Sequence, residues 1–120
     1  MRCFLPLVAL GGLANAALAA PGGPIATLQL GYYACELPGD AAGAAGIAQP
    51  ARDFAIVNAS SYSSSGGRGT YLLTGTMVQM TSGPKKGERF IKLSNNFLRE
   101  LDQRGNQTAL RCVRQVENNS

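Results

Sequence analysis

The sequence contains no histidine and no tryptophan, and it has only three cysteines in 120 residues. Histidine is the side chain that most often serves as a general base and as a neutral metal ligand, so its absence removes the commonest forms of both chemistries. The acidic residues are scattered and predict no catalytic carboxylate pair. The serines at 60, 61 and 63–65 have no identifiable activating partner. The sequence therefore predicts a protein that is not an enzyme, with no catalytic residue, metal or cofactor; a small secreted hydrolase is the weakest alternative.

The sequence also lacks an apolar run long enough to cross a bilayer. The run from Cys3 to Leu13 is too short, and it lies between Arg2 and a stretch of small residues. This arrangement is typical of a secretory signal peptide over residues 1–19, cleaved after Ala19. We expect Cys3 to leave with the signal and no transmembrane segment to remain. The alternatives are an uncleaved anchor or a buried core helix, and the expected location is periplasmic or secreted, in a bacterium.

Cleavage leaves two cysteines, Cys35 and Cys112. An even number of cysteines in an exported chain indicates a disulfide, and two cysteines allow only one pairing. The bond would close a loop of 77 sequence steps, for which the chain-entropy model gives about 4 to 5 kcal/mol of stabilisation. The alternatives are two free thiols or a metal pair, although zinc would need more ligands than two.

Glycine and serine separate many short apolar runs, a pattern that favours strands joined by turns. We expect residues 20–120 to form one all-β domain, an antiparallel β-barrel or barrel-like sandwich of about seven strands. The expected strands are 26–35, one beginning near 54, 70–74, 76–80, 89–94, 96–101 and 108–113. The segments 70–74 and 76–80 are either two strands or one bent strand with Gly75 at the bend.

Turns and loops are predicted between these runs. Residues 63–69 and 82–88 are rich in serine, glycine and proline and predict turns. Residues 38–52 predict a long flexible loop that could hold one short helical turn. Residues 94–105 fit either a helix or a hairpin. We favour the hairpin because the neighbouring segments are strands.

The positions of the two cysteines suggest what the disulfide does. Cys35 lies in the first predicted strand and Cys112 in the last. In an antiparallel meander that curls on itself, the first and last strands are the exposed edges. A disulfide between them would fasten these edges and close, or nearly close, a barrel.

The spaced pattern "GYYAC", "GTYLLTG", "SGP" with "KGERF", and "LRCVR" covers nearly the whole chain after residue 19. It resembles a group of small exported bacterial proteins of unknown function with a paired-cysteine β domain. The resemblance implies a fold and a disulfide but no reaction. The matching positions are Gly31, Tyr33, Cys35, Gly69, Tyr71, Gly75, Gly83, Pro84, Gly87, Leu110, Cys112 and Arg114.

The chain is also distantly similar to the periplasmic inhibitors of c-type lysozymes, which are small, exported, disulfide-linked β-barrels. Those inhibitors present a serine–glycine loop and a basic residue to the lysozyme cleft. The similarity implies that Ser65 with Gly66, or Ser82 with Gly83 and Lys85, would form this loop.

Positive charge is concentrated in the second half of the chain. Residues 85–114 hold eight basic and three acidic residues, whereas residues 20–84 hold two basic and three acidic residues. We interpret Lys85, Lys86 and Arg89 as a possible partner-binding patch for an anionic envelope component, such as lipid headgroups, lipopolysaccharide or acidic glycans, or for a protein partner. The alternative is a solvated strand face that keeps the domain soluble. Aromatic residues are too sparse there to predict nucleic-acid binding.

The sequence therefore predicts an exported, noncatalytic binding or structural module of the bacterial envelope. A periplasmic inhibitor of c-type lysozyme is the alternative. The glycosylation sequons at Asn58, Asn106 and Asn118 are interpreted as chance, because they would matter only in a eukaryotic secretory route.

Overall fold

A computed structural model of the chain describes residues 23–39 and 46–116. The predicted signal peptide, with Cys3, lies outside the described residues. The regular secondary structure of the described residues is β-strand, apart from one 3₁₀ turn at Pro50–Arg52. The strands are β1 Ile25–Ala26, β2 Gly31–Pro38, β3 Gly46–Ala48, β4 Phe54–Ile56, β5 Ser61–Ser64, β6 Gly67–Thr74, β7 Met77–Met80, β8 Arg89–Ser94, β9 Phe97–Leu101 and β10 Gln107–Arg114.

Eight of the strands form a closed antiparallel barrel in the order β2, β4, β5, β6, β7, β8, β9, β10 and back to β2. The two short strands lie outside this circuit, because β1 pairs only with β6 and β3 pairs only with β2. The predicted all-β antiparallel barrel is confirmed. No helix within the described residues has the length and apolar character to cross a membrane.

Side chains fill the inside of the barrel. Residues alternate along the strands, so that Tyr71 and Leu73 of β6 are buried while Leu72 between them is exposed. The centre is aromatic: the ring of Phe54 stacks on Tyr33 with centroids 5.3 Å apart and meets Phe90 at 5.6 Å. An eight-stranded barrel is just wide enough for side chains to fill it. Its interior is therefore a packed core.

The disulfide between Cys35 and Cys112 lies where the barrel closes. These two residues are directly opposite each other in the β2–β10 ladder, and both are buried. The backbone of Cys35 bonds away from β10: its N–H donates to Oδ1 of Asp53 at 2.7 Å, and its C=O accepts from the N–H of Gln49 at 2.8 Å. The cysteines thus occupy a non-hydrogen-bonded pair, where opposed side chains are closest. The predicted fastening of first to last barrel strand is confirmed.

The strand count and one turn differ from expectation. The barrel has eight strands because Ser61–Ser64 forms β5, where a continuation of the preceding strand and a turn were predicted. Only residues 65–66 turn between β5 and β6. Three of the four β5 residues are serines, and Tyr62 is its one buried side chain, so the strand has almost no apolar pattern.

The interpretation of residues 38–52 as a loop is also corrected. Pro38 ends β2, Gly46–Ala48 forms β3, and the expected helical turn is the 3₁₀ turn at Pro50–Arg52. Residues 40–45 lie outside the described part of the chain.

The favoured hairpin at residues 94–105 is confirmed, and the open alternative for residues 70–80 is resolved as two strands. Strands β6 and β7 are separate and joined through residues 75–76. Strands β9 and β10 pair across residues 102–106, which settles the helix-or-hairpin alternative for residues 94–105. Oδ1 of Asp102 accepts the N–H groups of Arg104 and Asn106 at 2.9 Å, and this pair of bonds shapes the turn.

The strands place the connections at two opposite ends of the barrel. One end, which we call the strap end, is crossed by residues 27–30 and carries the connections 57–60, 75–76 and 95–96. The other, which we call the ionic end, carries the turns 65–66, 81–88 and 102–106 and the 3₁₀ turn. The two ends are closed by different chemistry.

Hydroxyl groups hold the strap in place. Leu28 is buried, and its N–H donates to the hydroxyl of Tyr71 at 3.0 Å. The hydroxyl of Tyr33 donates to the C=O of Gln29 at 2.8 Å, and Nη1 of Arg114 donates to the C=O of Leu30 at 3.1 Å. Burial raises the pKa of Tyr33 to about 12; Arg114 opposes the rise and Tyr71 adds to it.

The disulfide generates the first prediction. In the chain from residue 20 onward, which contains every described residue, we expect no thiol to react with an alkylating agent until reductant is added. Replacing both cysteines, Cys35→Ala with Cys112→Ala, should lower the free energy of unfolding by about 4 kcal/mol, because the unfolded chain regains loop entropy. Urea unfolding of the oxidised chain and the variant measures this difference. A thiol that reacts before reduction would contradict the bond.

Tyr33 generates a prediction about alkaline stability. Its pKa is about 12 in the folded chain against an ordinary value of 10.0, so the unfolded chain releases this proton first as the pH rises. The contribution of the Tyr33 hydroxyl to the free energy of unfolding is fully present below pH 10. It should be lost at about 1.4 kcal/mol per pH unit as the pH approaches 12. Urea unfolding at pH values below and within this interval measures the slope. Tyr33→Phe should flatten it; an unchanged slope would assign the decline to other groups.

Candidate functional site

Lys85 is not part of an exposed patch. It is 6% exposed, and its Nζ lies 3.0 Å from Oε1 of Glu88 and donates to the C=O of Arg52 at 3.0 Å. The same Nζ lies 5.4 Å from the centroid of the Phe54 ring. All of these contacts are internal, so the sequence-based placement of Lys85 in a partner-binding patch is corrected.

Lys85 belongs to a cluster of four charged side chains that closes the ionic end. Arg52 from the 3₁₀ turn bonds to Glu100 of β9 and lies 3.5 Å from Glu88. Glu100 also accepts from the hydroxyl of Thr108 on β10 at 3.1 Å. The cluster therefore joins the 3₁₀ turn, the β7–β8 turn and strands β9 and β10.

The cluster is electrically neutral, with two cations and two carboxylates. Burial alone lowers the pKa of Arg52, but the bond to Glu100 and the nearby charges of Glu100 and Glu88 outweigh it and raise that pKa. A paired, partly buried network of this kind favours a fixed geometry and leaves no cation or carboxylate unmatched. Its role in this structure is to close the barrel end.

The β7–β8 turn, residues 81–88, is held by the buried hydroxyl of Tyr62. That hydroxyl donates to the C=O of Ser82 at 2.7 Å and accepts from the N–H of Lys85 at 2.9 Å. A Cβ added to Gly69 would lie 2.2 Å from the Ser82 carbonyl oxygen, and Gly83 has φ of 88°. Both positions require glycine, because the turn packs directly against β6.

These contacts affect the two loops expected from the similarity to lysozyme inhibitors. Oγ of Ser82 accepts from the N–H of Thr70 at 3.1 Å, and Lys85 is buried, so this loop cannot present its serine and lysine together. Ser65 and Gly66 are exposed at the tip between β5 and β6. Of the two expected loops, only Ser65 with Gly66 has all of its named residues exposed to solvent.

Three exposed cations project from the turns of the ionic end: Lys86 from the β7–β8 turn, Arg104 from the β9–β10 turn and Arg68 beside the β5–β6 tip. We call Arg68, Lys86 and Arg104 the cationic face. Within the described residues none of the three side chains makes an ion pair. The sequence-based patch included Lys86 but missed Arg68 at the start of β6 and Arg104 in the β9–β10 turn, which are far apart in the chain.

The three turns are held against one another. A Cβ on Gly66 would lie 3.0 Å from Cβ of Pro84, so the β5–β6 tip touches the β7–β8 turn. Nη2 of Arg89, at the start of β8, donates to the C=O groups of Asp102 and Gln103 at 2.7 and 3.1 Å. Arg89, predicted as part of the patch, therefore positions the β9–β10 turn that carries Arg104.

Every carboxylate among the described residues is already engaged. Glu36 pairs with Arg111 at 2.7 Å, and Asp53 accepts from the Tyr32 hydroxyl at 2.6 Å and from the Cys35 N–H. Asp102 shapes its turn, and Glu88 and Glu100 belong to the neutral cluster. All five described acids therefore make internal contacts. The described residues hold ten basic side chains, twice the number of acids.

The strap end carries a shallow groove of about 470 Å³ between residues 27–30 and 57–59. Leu28, Leu30 and Val57 are its apolar lining residues, and none of the described residues that line it is charged. In the described part of the chain, no group of three histidine, cysteine or acidic side chains is placed to hold a metal ion.

The chain matches no protein-family model, no curated protein and no solved structure. Its function has to be inferred from the geometry of its own residues.

The neutral cluster generates a stability prediction. Lys85→Ala should lower the free energy of unfolding by about 2 to 3 kcal/mol, because Glu88 would lose the nearer of the two cations that offset its partly buried charge. Lys86→Ala, one residue away and exposed, should change it by less than about 0.5 kcal/mol. Urea unfolding of the two variants provides the comparison. Equal changes in the free energy of unfolding of the two variants would show that the contacts of Lys85 do not stabilise the fold.

Proposed function

We propose that the protein is an exported, noncatalytic binding module that recognises an anionic component of the bacterial envelope through its cationic face, Arg68, Lys86 and Arg104. The observation that carries this proposal is the division of charge. The described carboxylates are engaged in internal contacts, and no ion pair with the cations of this face is found among the described residues.

The rigidity of the face supports binding. The three turns contact one another through Gly66 and Pro84 and through the Arg89 bonds, and the Tyr62 hydroxyl fixes the middle turn. Because the backbone of these turns is already held in place, a ligand would have to order the three side chains but not the turns, and less conformational freedom is lost on binding.

The disulfide supports an exported location. Disulfides form and persist outside the reducing cytoplasm, and this one joins the first and last barrel strands. Residues 1–19 read as a secretory signal in the sequence. A protein exported with a surplus of positive charge meets phosphate and carboxylate groups on envelope polymers, the groups that lysine and arginine bind best.

A c-type lysozyme is the less favoured partner. Such a lysozyme is itself basic, and the exposed Ser65–Gly66 tip lies beside Arg68 in the cationic face. Like charges across an interface slow association and weaken binding. An anionic polymer gains from the same charges.

A soluble anionic polysaccharide such as heparin serves as the probe. We expect the chain from residue 20 onward to bind it at low ionic strength and to release it as salt is added. The single variants Lys86→Gln and Arg104→Gln should each bind heparin about fivefold more weakly. The reason is that a basic residue near an anionic surface contributes about 1 kcal/mol. Titration followed by fluorescence anisotropy of labelled polymer measures the affinities.

The matched control is Lys92→Gln, a cation on β8 that also makes no ion pair within the described residues but lies outside the cationic face. It should bind the polymer as the unaltered chain does. If Lys92→Gln weakens binding as much as Lys86→Gln, the polymer senses only net charge and the cationic face is not a site.

A further inference from the structure

We propose that one outer side of the barrel docks on the surface of an anionic lipid bilayer. This side, which we call the apolar wall, consists of outward-facing residues on β1 and β6 to β9. Four of its members are large apolar side chains that face solvent: Ile25 is 67% exposed, Leu93 49%, Leu72 40% and Met77 37%. The wall residues are Ile25, Leu72, Met77, Ile91, Leu93 and Phe97.

Strand register makes the wall continuous. Thr74 pairs with both Ile25 and Met77, and Met77 pairs with Ile91, so one row of side chains runs from β1 across β6 and β7 to β8. Directly paired residues on one face of a sheet have neighbouring side chains, and diagonal ones remain within reach. Apolar residues on adjacent strands therefore form a surface rather than isolated contacts.

The register shift between β8 and β9 extends this surface. Lys92 pairs with Leu98 and Ser94 with Phe97, which makes Leu93 the extra residue of a bulge opposite Phe97. A bulge re-aims the side chains of the longer strand. Here it leaves Leu93 exposed beside Phe97, at the strap-end limit of the wall.

The charges around the wall have one sign. Strands β6 to β9 are fully described and contain one acidic residue, Glu100, which pairs with Arg52 in the ionic end. Arg99 lies beside Ile91, with its guanidinium carbon 5.6 Å from the centroid of the Phe97 ring, and Arg89 lies beside Leu101. The wall is apolar in its middle and cationic at its margin.

This combination fits an anionic bilayer better than a second copy of the chain. Apolar side chains that enter the headgroup region, with arginines that stay at the phosphates, are the features of surface-bound membrane proteins. A symmetric dimer through this wall would bring Arg89 and Arg99 of both copies into one interface, where the one carboxylate of β6 to β9, Glu100, is already paired with Arg52. The inference concerns a different surface from the cationic face and goes beyond the proposed function.

Vesicle flotation tests the wall. The oxidised chain from residue 20 onward should float with vesicles of phosphatidylcholine containing about one quarter phosphatidylglycerol, and much less with phosphatidylcholine alone. The triple variant Leu72→Ser, Met77→Ser and Leu93→Ser should bind the anionic vesicles at least about tenfold more weakly, because three apolar anchors are lost. All three side chains are solvent-exposed, so the barrel and its disulfide should remain intact, as circular dichroism and alkylation would verify.

The matched control changes three apolar residues off the wall, Ile47→Ser, Val57→Ser and Val116→Ser, which are 53%, 38% and 59% exposed. This control should bind the vesicles as the unaltered chain does. Equal losses in the two triple variants would overturn the wall as a specific surface. Unchanged binding of the wall variant would overturn it as well.

A fluorescent probe locates the contact directly, because the chain contains no tryptophan. We expect Leu93→Trp to shift its emission to shorter wavelength when anionic vesicles are added, as the indole leaves water. Ile47→Trp, on β3, should show no shift. A Leu93→Trp emission that stays unchanged while the chain floats with the vesicles would overturn the proposal.

The two proposals fail independently. The wall triple variant should bind heparin as the unaltered chain does, since heparin offers no apolar phase. If Lys86→Gln with Arg104→Gln abolishes vesicle binding and the wall variant does not, the bilayer is held by the cationic face. That result would contradict membrane binding through the apolar wall, but it would not contradict the proposed function of the cationic face.

Discussion

The pairing of β2 with β10, fixed by the Cys35–Cys112 bond, is the constraint on which the rest of the structure depends. Without it the sheet would have two free edges, and free edges invite pairing with other chains. Closing the sheet points every second side chain of each strand into a single interior. The rings of Tyr33, Phe54 and Phe90 lie at its centre. Buried side chains from all eight barrel strands contribute to this core, and the candidate recognition surfaces lie at the ionic end and on the outer side of the barrel.

The way each end is closed determines which charges remain for recognition. At the strap end, Leu28, two tyrosine hydroxyls and the Arg114 guanidinium make the contacts described above, and no described carboxylate takes part in them. At the ionic end, Arg52 and Lys85 enter the structure with Glu88 and Glu100. The described residues hold more cations than carboxylates, and each internal pair removes one of each. The net positive charge is unchanged, but the charges left outside are then mostly cations. The cationic face is thus a consequence of how the barrel is sealed.

The sequence predicts the architecture better than the site. Cys35, Cys112, Phe54 and Ile56 lie on apolar phases that mark their strands, and the glycine-containing turns separate them. Strand β5 was missed because a serine-rich strand with Tyr62 as its buried residue lacks the alternation on which such predictions depend. Lys85 and Lys86 are neighbours of identical chemistry, and only the fold makes the first internal and the second exposed. Arg68 and Arg104 join Lys86 through tertiary contacts that no local pattern encodes.

The apolar wall and the cationic face are connected through β8. Arg89 begins this strand beside the ionic end, and Ile91 and Leu93 follow it towards the strap end. One strand therefore links the turns that carry unmatched cations to the surface that carries exposed apolar side chains. A bilayer bound along the wall would place the phosphate layer near the arginines at its margin, and the cationic face would remain accessible at the end of the barrel. The same surplus of positive charge would then serve two contacts, one with lipid and one with a polymer beside it, without any change in the barrel itself.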